Sequence, residues 1–76
     1  MLKQELKAEI ARHGDRQVDL AEALGITQAS LSAKINGETE FKPSEIEVIA
    51  ARYGLTAERV QVIFLPGLST IGSNNP

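Results

Sequence analysis

The sequence predicts an all-α fold, a compact bundle of five short helices. Apolar residues recur at spacings of three and four along most of the chain, which is the period of a helix with one buried face. The predicted helices end at glycines, which adopt a left-handed backbone at little cost: Gly14, Gly25, Gly37 and Gly54. Residues that favour a helix start follow the later stops: Thr27, Pro43 and Thr56.

The first predicted helix carries an apolar stripe on one face and charges on the other. Leu2, Leu6 and Ile10 are four residues apart and form the stripe, while Glu9 is expected to point outward. His13 lies near the negative end of the helix dipole, where a cation is favourable. We expect His13 to be an exposed helix-end residue rather than a metal ligand or a general base, because the sequence supplies no partners for either role.

The second helix is predicted to begin at Asp15 or Arg16, of which Asp15 is chemically the better N-cap. Leu20, Ala21 and Leu24 then lie on one face of this helix. The small Ala21 falls where two steeply crossing helices must approach closely.

A sharp turn and a third helix follow directly. Gly25 ends the second helix, Ile26 places an apolar side chain in the corner, and Thr27 is a good N-cap. On the third helix, Leu31 and Ile35 are four residues apart and point back at the second. This pattern is typical of a helix-turn-helix, in which the outer face of the second helix is free to enter a DNA major groove.

Two further helices complete the predicted domain, which spans residues 1–65. Phe41 is expected to fill the core between helices 3 and 4, and Pro43 suits the first turn of helix 4. The inward face of helix 4 is predicted as Ile46, Ile49, Ala50 and Tyr53. That of helix 5 is predicted as Val60, Ile63 and Phe64. Val62 and Leu65 lie off this face, so they are either covered by helix 1 or part of a dimer contact.

Residues 66–76 differ in composition from the rest of the chain. They are mostly Gly, Ser, Asn and Pro around the isolated Leu68 and Ile71. This composition predicts a flexible C-terminal tail. Docking of Leu68 and Ile71 on a partner is the alternative.

The central stretch resembles the phage repressor/Cro-like (XRE) family of helix-turn-helix regulators. The residues that carry the resemblance are Gln17, Leu20-Ala21, Leu24-Gly25-Ile26, Thr27-Gln28, Leu31 and Asn36-Gly37, and the run LSAKING followed by ETEF is similar to a short, phage-type branch. The resemblance implies a lambda-repressor-like five-helix DNA-binding domain. It also implies a homodimer bound to double-stranded operator DNA. Relatives often carry a buried ion pair between helices 1 and 3, for which Ile10 and Ile35 look like an apolar replacement.

The N-terminal half of the third helix supplies the candidate base contacts. They are Gln28, Ala29, Ser32 and Ala33. A glutamine amide pairs bidentately with adenine, a serine hydroxyl accepts several partners, and a small alanine can contact a thymine methyl group.

The candidate contacts to the DNA backbone surround this helix. They are Arg16, Gln17, Lys34, Asn36 and Lys42. In the family, the position of Gln17 commonly holds a glutamine that contacts phosphate, and the backbone N–H groups of a helix start suit that role.

The charge balance opposes strong DNA binding. The net charge is −2, and Glu38 and Glu40 follow the third helix, where relatives often carry Lys or Arg. Few phosphates would be neutralised per monomer, so dimeric or cooperative binding is expected. The alternative function is a helix-turn-helix module that binds and modulates a phage repressor protein, with its acidic surface facing a basic partner.

Other classes of function are disfavoured by what the sequence contains. With no Cys, one His and no Gly-rich phosphate loop, it indicates neither an enzyme nor a metal, nucleotide or other cofactor site. No apolar run is long enough for a membrane span and no signal peptide is evident, so a cytoplasmic location is expected.

Overall fold

The computed structural model describes residues 1–65 as an all-α domain of five helices. Their bounds are α1 Lys3–Arg12, α2 Gln17–Leu24, α3 Gln28–Ile35, α4 Pro43–Tyr53 and α5 Ala57–Phe64. The predicted fold class is therefore confirmed. The proposed tail, with Leu68 and Ile71, lies outside the described residues. None of the helices within residues 1–65 combines the length and hydrophobicity that a transmembrane segment requires.

A single apolar core lies at the centre of the domain. α2 packs on both α3 and α4, and α5 closes the other side against α1 and α4. The buried apolar side chains are Leu6, Ile10, Leu20, Ala21, Leu31, Ile35, Ile49, Tyr53, Ile63 and Phe64. Ile10 and Ile35 are both in this core. The helical register predicted from apolar spacing is confirmed for every helix, with exceptions only at the ends.

The predicted helix ends are also largely confirmed. The hydroxyl oxygens of Thr27 and Thr56 accept hydrogen bonds from the N–H groups of Ser30 and Arg59, at 3.0 and 3.1 Å. Gly25 has a φ of +71°, so the tight turn after α2 uses a conformation that a residue with a Cβ rarely adopts. His13 is exposed, as predicted, and its ring lies 4.9 Å from that of Tyr53.

Asp15 is not the N-cap of α2, which corrects the first of the two predicted starts. Arg16 occupies the N-cap position, without a side-chain cap. The carboxylate of Asp15 instead accepts hydrogen bonds from Arg52 at 2.8 and 3.0 Å and from the Tyr53 hydroxyl. These bonds hold the pKa of Asp15 far below its usual range, with Arg52 the largest cause. Asp15 therefore joins the α1–α2 corner to the end of α4.

Glu9 is buried, whereas the sequence predicted an outward-facing residue. Only 3% of it is exposed, and its Oε2 accepts hydrogen bonds from Arg59 at 2.7 Å and from Arg12 at 2.8 Å. Burial alone would raise the pKa of Glu9, but the two guanidinium groups outweigh burial and leave it lowered. Arg59 also donates to Glu5, so this cluster joins α1 to α5.

The first residues of the chain and the last turn of α5 meet at one edge of the domain. The N–H of Leu2 donates to the Ile63 carbonyl at 2.7 Å, but the Leu2 side chain is exposed and lies outside the predicted stripe. Leu65 packs against the core, while Val62 stays exposed. Of the two residues predicted to lie off the inward face of α5, only Val62 therefore remains as exposed apolar surface.

Candidate nucleic-acid interface

The candidate interface is built on α2, the turn at Gly25 and α3. Ile26 packs against the core below the turn, and its N–H donates to the Ala21 carbonyl at 3.0 Å, which closes the end of α2. Leu31 and Ile35 anchor the inner face of α3. The chain thus holds α3 by one side only, and its other side faces away from the core.

The four candidate base contacts lie on that outer side in two pairs one helical turn apart. Gln28 and Ala29 in the first turn are exposed, whereas Ser32 and Ala33 in the next turn are half-buried. The Gln28 amide joins none of the side-chain hydrogen bonds formed within residues 1–65. Accessibility to a base edge therefore decreases from Gln28 and Ala29 to Ser32 and Ala33.

The candidate backbone contacts differ in how accessible they are. Gln17 is the first residue of α2 and is half-buried, while Asn36 and Lys42 are exposed at the two ends of the loop between α3 and α4. Arg16 is exposed as well, but its guanidinium donates two hydrogen bonds to Asp19, at 2.8 and 3.1 Å. A phosphate would have to compete with that carboxylate for Arg16.

A family comparison supports this interface. A family model described as helix-turn-helix matches residues 6–60, well over half of the 76 residues. The chain belongs to the XRE-type helix-turn-helix family. This is a family of DNA-binding transcription regulators rather than of enzymes. No curated protein and no solved structure matches the chain.

Lys34 does not take part in the surface of this helix-turn-helix domain, which corrects its prediction as a backbone contact. Only 8% of Lys34 is exposed. Its Nζ donates to Glu45 Oε1 at 2.9 Å and to the Glu40 carbonyl at 3.2 Å. An ammonium group that is buried and paired in this way is not available to a phosphate, so Lys34 is removed from the candidate set.

The buried Lys34–Glu45 pair is the main feature of the site that sequence reasoning missed. Glu45 lies in the first turn of α4 and is only 7% exposed. Burial raises the pKa of its carboxyl group, but the Lys42 N–H and the Lys34 ammonium together leave that pKa lowered. One signal was present in the sequence, because Lys34 is three residues after Leu31 and therefore on the inner side of α3.

The surface charge around α2 and α3 is more negative than the residue count suggests. With Lys34 buried, the positive side chains from Arg16 to Lys42 are the paired Arg16 and the exposed Lys42. The exposed carboxylates in the same stretch are Glu22, Glu38 and Glu40. This stretch therefore brings few free cations to a phosphate backbone.

Proposed function

We propose that this chain is a sequence-specific transcription regulator of phage or prophage type that binds operator DNA as a homodimer, with α3 in the major groove. The observation that carries the proposal is the outer face of α3. Its first turn presents the exposed Gln28 and Ala29, while Leu31 and Ile35 fix the inner face in the core. A rigid helix with a solvent-facing first turn is what base recognition by a helix-turn-helix requires.

Each residue on this face has a role in the proposal. Gln28 forms a bidentate pair with adenine, and Ala29 contacts a thymine methyl group. Ser32 and Ala33, half-buried one turn further on, form the second pair of base contacts, through the serine hydroxyl and the alanine methyl group. Specificity should therefore depend most on Gln28.

The backbone contacts in the proposal come from the ends of neighbouring elements. Gln17 offers a helix-start N–H and its amide to one phosphate, and Asn36 and Lys42 reach the backbone from the two ends of the α3–α4 loop. Arg16 contributes a phosphate contact only when its guanidinium gives up its hydrogen bonds to Asp19. So few cations per monomer give weak binding, which is why a dimer on two half-sites is part of the proposal.

Fluorescence anisotropy across a salt series tests the proposal, with DNA from around the protein's own gene. We expect saturable binding that Gln28→Ala weakens by about 1–3 kcal/mol, because the adenine loses its bidentate partner. Gln61→Ala is the matched control, since Gln61 is an exposed glutamine on α5. Equal losses in the two variants would contradict base recognition by α3.

A second function is favoured by the charge distribution, namely binding to a basic repressor protein. Glu38 and Glu40 are exposed beside α3, and Lys34 cannot offset them at the surface because it is paired with Glu45. The variant Glu38→Lys with Glu40→Lys separates the two functions. A DNA-binding regulator gains affinity for DNA from this change, whereas a repressor-binding module loses its partner.

A further inference from the structure

We propose that Lys34 and Glu45 form a buried clamp that positions the α3–α4 loop, and with it Lys42, against the DNA backbone. The clamp makes Lys34 and Glu45 positioning residues, which touch no DNA themselves. This inference rests on the proposed DNA-binding function, because the role of Lys42 does.

The clamp joins three parts of the chain at one carboxylate oxygen. Glu45 Oε1 accepts from Lys34 Nζ at 2.9 Å and from the Lys42 N–H at 2.8 Å. Lys34 Nζ also donates to the Glu40 carbonyl at 3.2 Å. The last turn of α3 is thereby tied to residues 40 and 42 of the loop and to the first turn of α4.

The clamp is largely shielded from water, which favours a single arrangement of its hydrogen bonds. The side chains of Lys34 and Glu45 are each only 9% exposed. The Phe41 ring lies over the ammonium, with 5.9 Å from Nζ to the ring centroid, and packs edge-to-face on Phe64 at 5.5 Å. In such surroundings a charge that loses its partner is costly, so both charges stay together in one geometry.

A buried ion pair is not needed for stability alone. Well-packed apolar residues of similar volume are often as stable. What the ion pair adds is a defined loop geometry. Its hydrogen bonds hold the backbone of residues 40 and 42 at fixed distances from α3. The side chain of Lys42 projects from the second of these anchored residues and is exposed.

The salt dependence of DNA binding tests whether the clamp acts through Lys42. Removing a cation that contacts phosphate lowers the slope of log affinity against log salt by about 1. We expect Lys42→Met to do so, and Lys34→Met to do the same although Lys34 is buried. In the double variant, Lys42→Met should lower the slope no further. Lys7→Met is the matched control for charge, since Lys7 is an exposed lysine on α1.

A merely structural role for Lys34 predicts a different result. Binding is measured well below the melting temperature of each variant, so that only folded protein is compared. If Lys34→Met keeps the slope of the wild type, or if the losses from Lys34→Met and Lys42→Met add, the clamp does not position Lys42 and the proposal is overturned.

Hydrogen exchange of the Lys42 amide tests the clamp without DNA. In the wild type this N–H is bonded to Glu45, so we expect its protection to fall by about tenfold or more in Lys34→Met, where the Glu45 carboxylate has lost its partner. Glu45→Gln, which retains an acceptor oxygen, provides a second variant and should lose less protection. Unchanged protection in Lys34→Met overturns the clamp. Loss of protection in a protein that binds no DNA would instead refute the proposed function, and with it the role of Lys42, while the clamp would still be shown to hold the α3–α4 loop.

Discussion

Two arginine–aspartate pairs begin at adjacent residues of this chain and serve different regions of the molecule. Asp15 accepts two hydrogen bonds from Arg52, and Arg16 donates two to Asp19, with nearly the same distances in both pairs. The first pair spans 37 positions in the sequence and the second only three. The Asp15 side chain is 10% exposed, whereas that of Asp19 is 38% exposed.

The difference separates a structural region from the proposed binding region. On the side of α1, α4 and α5, the charged groups pair between helices, as in the Asp15 and Glu9 clusters. On the outer surface of α2 and α3, Arg16 and Asp19 pair within one exposed helix start, while the buried Lys34–Glu45 pair lies beneath that surface. Bond lengths do not show this difference. Burial and sequence separation do, because removing one partner of a buried pair between distant segments leaves an unpaired buried group, whereas an exposed local pair contributes little to stability.

The largest effect that tests this comparison comes from removing each aspartate. Asp15→Ala should lower the free energy of unfolding by about 2 kcal/mol, because Arg52 and the partly buried Tyr53 hydroxyl lose their acceptor. This corresponds to a fall of about 10 °C in melting temperature for a domain of this size. Thermal melts followed by circular dichroism at neutral pH measure it. Asp19→Ala is the matched control and should shift the melt by no more than about 2 °C. Equal shifts would remove the distinction between the two regions.

A smaller effect is expected when the pH is lowered. The folded-state pKa of Asp15 lies below its unfolded value, so the stability that it supplies is present above the ordinary aspartate range and is lost as the pH falls through and below that range. Between about pH 5 and pH 2 the wild type should lose more stability than Asp15→Ala, by about 1–2 kcal/mol. Urea titrations at a series of pH values measure both. Parallel pH profiles would show that Asp15 is not held as a paired carboxylate.

The helix-turn-helix could be predicted from the sequence because its determinants are local. The turn needs a left-handed residue at Gly25, the third helix needs an N-cap at Thr27, and the facing sides need apolar residues such as Leu20, Leu31 and Ile35. All of these lie within 20 residues of each other. An apolar helical period and an N-cap can be recognised in the sequence without knowledge of any distant segment.

The charged residues were predicted less well because their partners are distant. Glu9 was placed outward, but Arg59, which pairs with it, follows 50 positions later. Asp15 looked like an N-cap because its partners on α4 could not be inferred from sequence spacing. The sequence pattern predicts a phosphate contact for Lys34, but its position on α3 is internal. A charged side chain is exposed by default, and its tertiary contacts establish when it is not.

The base and backbone contacts remain predictions because their partners lie outside the protein. The accessibility of Gln28, Ala29, Asn36 and Lys42 follows from the fold. Which base pair or phosphate of an operator each would meet depends on the DNA sequence, which lies outside the chain. The DNA affinity of Gln28→Ala therefore tests the site more directly than any structural feature of the fold does.

Asp19→Ala has the smallest expected effect on stability, and it also tests whether Arg16 can contact DNA. Asp19→Ala frees the Arg16 guanidinium from its only hydrogen-bonding partner within residues 1–65 and removes a carboxylate from the start of α2. If Arg16 then reaches a phosphate beside Gln17, DNA affinity should rise severalfold at low salt and the salt slope should steepen by about 1. Anisotropy titrations at several salt concentrations measure both quantities. Arg16→Met in the Asp19→Ala background should return the slope to that of the wild type. An unchanged slope in Asp19→Ala would mean that Arg16 does not contact the DNA backbone, and the exposed pair would then have neither a structural nor a binding role.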